Sequence, residues 1–325
     1  MRKPLAIAQT LKANMGAPHQ AFSPARIWVI ARTTLTQLIR MRVFYFLLIF
    51  SAIILAATLM IQNFTQDPTR QLKVMKDMSF FAMSIFCTIF AIVATANLIP
   101  KDIEDRTLYT ILAKPVPRLE YLLGKYLGGM LVIFVSVTVM TVLLSAFLYM
   151  RQEALLSELQ EYMQVAEQEV EQAPIAVENE GLDLARVEAS SLRAQGPSWS
   201  LLAAVVAISL QAMVLGAITL CVSTFASSGL FTVVVAFVFF FVGYIEPVVV
   251  ESWRSSPEGI SGISNALITS VGIIFPNFQS FNLVDGIVAG ETLPSGWLGR
   301  ITGLALGYIV AYLVAAYLFF ADKEL

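Results

Sequence analysis

The sequence predicts an all-α polytopic membrane protein with six transmembrane helices. Three observations carry that prediction. The 325 residues are 57% hydrophobic and only 14% charged, with a mean hydropathy of +0.74, far from the balance of a soluble domain. Several apolar runs reach the roughly 20 residues needed to cross about 30 Å of hydrocarbon as a helix. The charges are not scattered but collect in a few segments between those runs. The net charge of −2 says little by itself, and no nucleic-acid partner is expected. Cys87 and Cys221 both fall inside apolar runs and read as small buried hydrophobes rather than a disulfide or metal pair. His19 is the single histidine and cannot form a ligand cluster alone.

In chain order, residues 1–25 read as a polar cytoplasmic tail. Residues 26–42 set Ile27, Trp28, Ile30, Leu35, Leu38 and Ile39 beside Arg26, Arg32, Arg40 and Arg42, the pattern of a basic interfacial helix. An N-terminal extension of the first span with snorkelling arginines is the alternative. Residues 43–150 hold the first three spans: about Val43 to Ile61, then a short polar loop from Gln62 to Met78, then Phe80 to Ile99 and Tyr126 to Met150. Residues 151–197 change character, with ten acidic residues against three arginines and no long apolar run. A stripe of Leu155, Leu159, Tyr162, Ala166 and Val170, a break at Pro174 and a second segment around Leu182 to Leu192 predict an external helical hairpin. Residues 198–325 hold spans four (Trp199 to Val222), five (Leu230 to Val250) and six (Trp297 to Phe320). The intervening segment 251–296 is apolar but interrupted by Gly272, Pro276, Asn277, Asn282 and Asp285, which predicts a re-entrant or interfacial pair of short helices.

Lysine and arginine bias sets the orientation. The N-terminal segment through Arg42 carries seven such residues and the 100–125 loop five, against eight on the opposite side. Both termini and the 100–125 loop are therefore predicted to be cytoplasmic.

Catalytic motifs are missing. GxxxxGK[ST], HExxH, CxxC and Gly-x-Ser-x-Gly are all absent, so the chain itself is not expected to be an enzyme, to bind a cofactor or to hold a metal. Glu246, in GYIEPVVV at the external end of the fifth span, is a candidate path or gating residue; the competing reading is an interfacial carboxylate beside the break at Pro247. Gly299, Gly303 and Gly307 form GxxxGxxxG along the sixth span, and Gly124 and Gly128 open the third, spacings that let helices approach closely.

The strongest signal is Pro100 to Gly129. It carries nine charges, Lys101, Asp102, Glu104, Asp105, Arg106, Lys114, Arg118, Glu120 and Lys125, expected to lie outside the lipid. Ile103, Leu108, Ile111, Leu112, Leu119, Leu122 and Leu123 recur between them at helical spacing, broken at Pro115-Val116-Pro117. The run DIEDRTLYTILAKPVPRLEYLLGKYLG resembles the first cytoplasmic loop of type-2 ABC transporter permeases, and looks most similar to the subgroup of the nitrous-oxide-reductase maturation transporter permease. The resemblance extends to the interfacial helix, the six spans, the interrupted GIIFPNFQSFN and the charged tail DKEL. It departs in having Arg106-Thr107 where many members have Gly-Thr, and in the larger 151–197 insert.

The resemblance implies that the loop carries a coupling helix docking into a separate ATPase subunit. Glu104, Asp105, Arg106, Thr107, Leu108, Leu112, Lys114, Pro115 and Arg118 are the expected contact residues, with Pro115 and Pro117 passing tilt to the third span. It also implies a second permease copy, ATP and Mg used by the ATPase partner alone, membrane lipid as surroundings, and residence in a bacterial inner membrane. A membrane scaffold or force-transmitting complex, with an external protein bound at 151–197, is the competing class.

Overall fold

The computed structural model describes residues 22–61, 67–104, 117–172, 179–196, 199–226, 228–254, 272, 274–289 and 296–321. Every regular element among them is helical. In order these are α1 (Pro24–Ile39), α2 (Arg42–Ile61), α3 (Pro68–Ala96), α4 (Leu98–Glu104), α5 (Arg118–Gln172), α6 (Asn179–Ala194), α7 (Trp199–Phe225) and α8 (Gly229–Arg254). A 3₁₀ turn (Phe278–Phe281), α9 (Val284–Ala289) and α10 (Trp297–Ala321) follow. Five stretches of the described chain are long and apolar enough to cross a membrane: Pro68–Glu104, Arg118–Gln168, Asp183–Phe225, Gly229–Ser252 and Trp297–Ala321. Helix α2 adds 20 residues of similarly apolar sequence, about 30 Å of helix. The chain is a multi-pass membrane protein.

Helix α7 is the central post. It carries no charged residue and is lined by small ones, with Ala203, Ala204, Ala207, Ala212, Gly216 and Ala217 buried among larger apolar side chains. An apolar helix with small residues at its contacts admits neighbours on every side. Helices α3, α5, α8 and α10 all pack on it. Helix α10 contributes Ile301, Ala305, Ile309, Leu313, Ala316 and Phe320, one face at three- and four-residue spacing. Helix α2 leans on α3 through Phe44, whose ring meets Phe86 and Phe90 edge-on at 6.3 and 5.5 Å.

Two boundaries differ from the sequence reading. Part of the predicted polar loop Gln62 to Met78 is helix: α3 begins at Pro68, with Asp67 in the extended N-cap position. Its first turns are amphipathic rather than apolar, and Leu72 and Met75 are buried. Lys76 is also buried and donates to Gln195 Oε1 at 2.8 Å. Likewise the third span and the first helix of the predicted insert are one continuous helix. Helix α5 runs unbroken for 55 residues, about 80 Å at helical rise, and its insert portion packs against α6. Gln152 Nε2 donates to Leu192 O at 3.0 Å, and Arg151 Nη2 donates to Gln71 Oε1 at 2.9 Å. Apolar runs end where lipid ends; the helix ends only where its packing does.

Helices α3 and α4 are separated at Asn97. Pro100 has no N–H for the carbonyl of Ala96, so the ladder breaks there. Asn97 bridges the gap by donating Nδ2–H to Val93 O at 2.9 Å.

Helix α1 is not laid out alone. Arg26 meets Glu120, Ile30 meets Gly124 and Thr34 meets Gly128. A constant offset along both chains makes α1 and the start of α5 a parallel, in-register pair. A Cβ built on Gly128 would sit 2.5 Å from Thr34 Cβ and 2.7 Å from Ala31 O, whereas one on Gly299, Gly303 or Gly307 meets nothing within 4 Å. Gly128→Ala should therefore cost about 1–3 kcal/mol by overpacking and lower the melting temperature of the purified chain. Gly303→Ala should leave that temperature unchanged or slightly raised; equal effects of the two would refute the register.

Candidate functional site: the hub at the base of the charged loop

The first three turns of α5, just after the charged loop, bind four other helices in succession. Arg118, at the first position of α5, donates Nη1–H to the carbonyls of Phe320 and Ala321. A guanidinium on the free carbonyls at the end of α10 answers both their hydrogen-bonding need and the negative end of that helix. Its carbon also lies 5.9 Å from the Phe320 ring centre, and Phe320 stacks on Tyr121 at 5.9 Å.

Glu120 holds α1. Its side chain is 1% exposed, and its Oε2 lies 2.8 Å from Arg26 Nε. Its Oε1 accepts from Arg26 Nη2 at 3.1 Å and from the Ser23 backbone N–H at 2.9 Å. The pair is thus an ion pair with one charge-assisted hydrogen bond, reinforced by the backbone N–H of Ser23. It also satisfies the N–H of the α1 N-cap residue, while Pro24 has none to satisfy.

Tyr121 and Lys125 hold α4. Asp102 Oδ2 accepts from Tyr121 Oη at 2.6 Å and lies 2.7 Å from Lys125 Nζ, the side chains of the ion pair being 8% and 7% exposed. Lys125 also faces Gln37 Oε1 of α1 at 3.5 Å and the Tyr121 ring at 5.8 Å. Tyr126 Oη, one residue on, donates to Met213 O of α7 at 3.0 Å. Asp102 precedes the charged loop and Tyr121 and Lys125 follow it. The two ends of the loop are thus fastened to each other by a buried ion pair and a hydrogen bond.

Of the residues the sequence singled out, Asp105, Arg106, Thr107, Leu108, Leu112, Lys114 and Pro115 lie outside the described residues. Glu104 is exposed at the end of α4. Arg118 turns inward to α10. Gly124 and Gly128 sit in the α1 contact, while Gly299, Gly303 and Gly307 face away from the rest of the described chain. Glu246 is half-buried, its Oε1 3.3 Å from where a Cβ on Gly272 would stand. Tyr308 Oη donates to Gly272 O at 3.0 Å nearby. Among the described residues no cluster of His, Cys, Asp or Glu could hold a metal.

The sequence reading expected all nine charges of this stretch to lie outside the lipid and named no partner for them within the chain. Asp102, Glu120 and Lys125 are buried in the protein, which their ion-pair partners permit. The available signal was local: Glu120 and Lys125 sit inside LEYLLGKYL, where a solvated charge would break the apolar face.

Comparison with known proteins agrees with this architecture. A family model described as ABC-2 family transporter protein matches residues 28–325. No curated protein matches the chain.

Removing one partner of a buried ion pair leaves the other uncompensated, at about 3–5 kcal/mol. Lys125→Met should lower the thermal stability of the purified chain accordingly, and Asp102→Leu combined with Lys125→Met should recover much of the loss. A double variant no more stable than the single would show that the pair is not what holds the loop ends. The matched region covers more than nine-tenths of the sequence, and the chain belongs to the ABC-2 transporter family as a membrane permease component of an ABC transporter.

Proposed function

We propose that the chain couples ATP hydrolysis by a separate ATPase subunit to outward movement of a cargo across a bacterial inner membrane. On this reading it has six spans, with α2 the first, and both termini in the cytoplasm. It works as a pair of permease chains over two ATPase subunits, and stands near the subgroup of the nitrous-oxide-reductase maturation transporter permease. ATP and Mg belong to the ATPase, with no cofactor in this chain.

The observation that supports this best is the clamp beneath the charged loop. A loop meant to pass force must not stretch at its base. Asp102, Tyr121 and Lys125 close that base, so a partner gripping residues 104–116 moves α4 and α5 together. Arg118 and Glu120 extend the same motion to α10 and α1. On this reading Arg118, expected on sequence to touch the ATPase, also passes the motion to α10 through the carbonyls of Phe320 and Ala321.

The insert supports a second reading, a scaffold or force-transmitting complex. Tyr162 and Val165 of α5 and Leu184 and Val187 of α6 are exposed apolar side chains in the insert end, where an external protein would bind.

The two readings separate on purification from the native host. Permease coupling predicts a stoichiometric ATPase partner whose hydrolysis rate responds to the permease. Reversing the charges at Glu104 and Arg106 should abolish that response by tenfold or more while membrane insertion is unchanged. Normal partner binding and transport in that double variant would sink the coupling assignment. An external protein held through 151–197, with no nucleotide-binding partner, would favour the scaffold.

A further inference from the structure

A cavity of about 560 Å³ opens between α3, α7 and α8, closed at one end by the segment after the 3₁₀ turn. Its walls are aromatic, with Phe80 and Phe81 from α3, Phe237, Phe240 and Tyr244 from α8, and Phe281 beneath. Uncharged polar residues line it too: Ser84 and Thr88, one turn apart on α3, Gln211 on α7, and Asn282 after the 3₁₀ turn.

Those polar groups stand out because their neighbours are satisfied. Ser79, Ser209 and Thr219 each donate to the carbonyl four residues back on their own helix, at 2.6 to 2.8 Å. Gln211 and Thr88 are each only 8% exposed, and neither has a hydrogen-bond partner among the described residues. A carboxamide brings two donors and an acceptor, and inside a membrane bundle there is no bulk water to meet them. Neither Gln211 nor Thr88 is among the sealed, unpartnered polar groups of the described residues, so their polar atoms are open to the cavity, and an occupant able to bond to them is favoured over a purely apolar one.

The lining also limits the charge of that occupant. Among the described residues, Asp77, at the insert end, is the one ionisable lining residue besides Tyr244. Ser84 and Thr88 lie seven and eleven residues further along α3, about 10 and 16 Å deeper. Among the described lining residues there is no cation for an anionic group, and one entering past Asp77 would meet like charge.

We propose that this cavity is a binding site for an uncharged amphiphile, with an apolar body held by the phenylalanines and a hydroxyl or amide bonded to Gln211, Thr88 and Ser84. Its role as a cargo site rests on the permease reading; binding itself does not, and is measured without any ATPase.

The test is photolabelling of the purified full chain in lipid nanodiscs with 3-azioctanol, an uncharged alcohol bearing a diazirine, with adducts mapped by mass spectrometry. Labelling should saturate, fall on the α3 and α8 walls between residues 80–89 and 237–244, and be displaced by 1-octanol but not by octanoate at neutral pH. Gln211→Leu should cut labelling at sub-saturating probe about fivefold, the scale of one lost hydrogen bond. Thr88→Val, nearly isosteric, should cut it in the same direction and serves if Gln211→Leu fails to fold. Non-saturating adducts spread over the exposed faces of the bundle would overturn the proposal. So would displacement by octanoate as effective as by octanol, or labelling unchanged in both variants. None of these results bears on whether an ATPase docks at the charged loop.

Discussion

The contact between Asp102 and the pair Tyr121–Lys125 is the constraint on which the rest of the structure depends. A carboxylate and an ammonium withdrawn from water lose several kcal/mol each in solvation. They are retained together only because the geometry is close and a phenol supplies a further bond to the carboxylate. Through these side chains α4 meets α5, and α1, α10 and α7 are each tied to α5 in turn. Glu120 fixes α1 two residues from Arg118, which fixes α10, and Tyr126 fixes α7. Such an arrangement is stiff because the charged partners are oriented by fixed backbones: the ladder of α5 presents alternate contacts to different helices every one or two residues.

The opposite end of the molecule has a comparable tie made with weaker chemistry. Lys76 of α3 donates to Gln195, next to α6, Thr69 pairs with Ser191 at 2.9 Å, and Arg151 of α5 reaches Gln71. The part of α5 between the hub and Arg151 is therefore tied at both ends, to α4 at one and to α3 at the other, while the insert portion beyond it packs on α6.

Much of the scaffold was legible in the sequence because lipid imposes a blunt rule: apolar helices of a set length, separated by polar segments. The rule reports where lipid is and not where helices end, which is why the start of α3 was missed and the helix predicted at Leu155 to Val170 was not read as continuous with the third span. Leu72 and Met75 carried the helical period, but Lys73, Lys76 and Asp77 hid it from a search for apolar runs. The site was legible only as a charge density. That Asp102 pairs with Lys125, 23 residues away, depends on the break at Asn97 and the entry angle of α5, neither of which a one-dimensional pattern contains. Gly124 and Gly128 were recognisable as a close-approach signal, yet their partner proved to be α1. Gly299, Gly303 and Gly307, with the same spacing, meet no helix of the described chain. Spacing gives the capacity for contact, and only packing gives the partner.

Of the spans packed on α7, α8 buries the least of its surface within the described chain. Helices α1, α3, α5, α7 and α10 are linked by buried charges, capped ends and close packing on α7. Most of the surface of α8 is exposed, and Pro247 interrupts its ladder. What holds α8 near its insert end is the turn at Pro276–Phe278: a Cβ on Gly243 would lie 2.4 Å from Pro276 O and 2.9 Å from the Phe278 ring. Phe237, Phe240 and Tyr244 form the α8 wall of the aromatic cavity, so a small rotation of α8 would change its volume while Ser84, Thr88 and Gln211 stayed fixed on α3 and α7. A rigid polar line facing a movable aromatic wall can hold an amphiphile by its polar group while altering the space left for its apolar body. Such differential affinity between two states is the thermodynamic condition for coupling cargo to a conformational change.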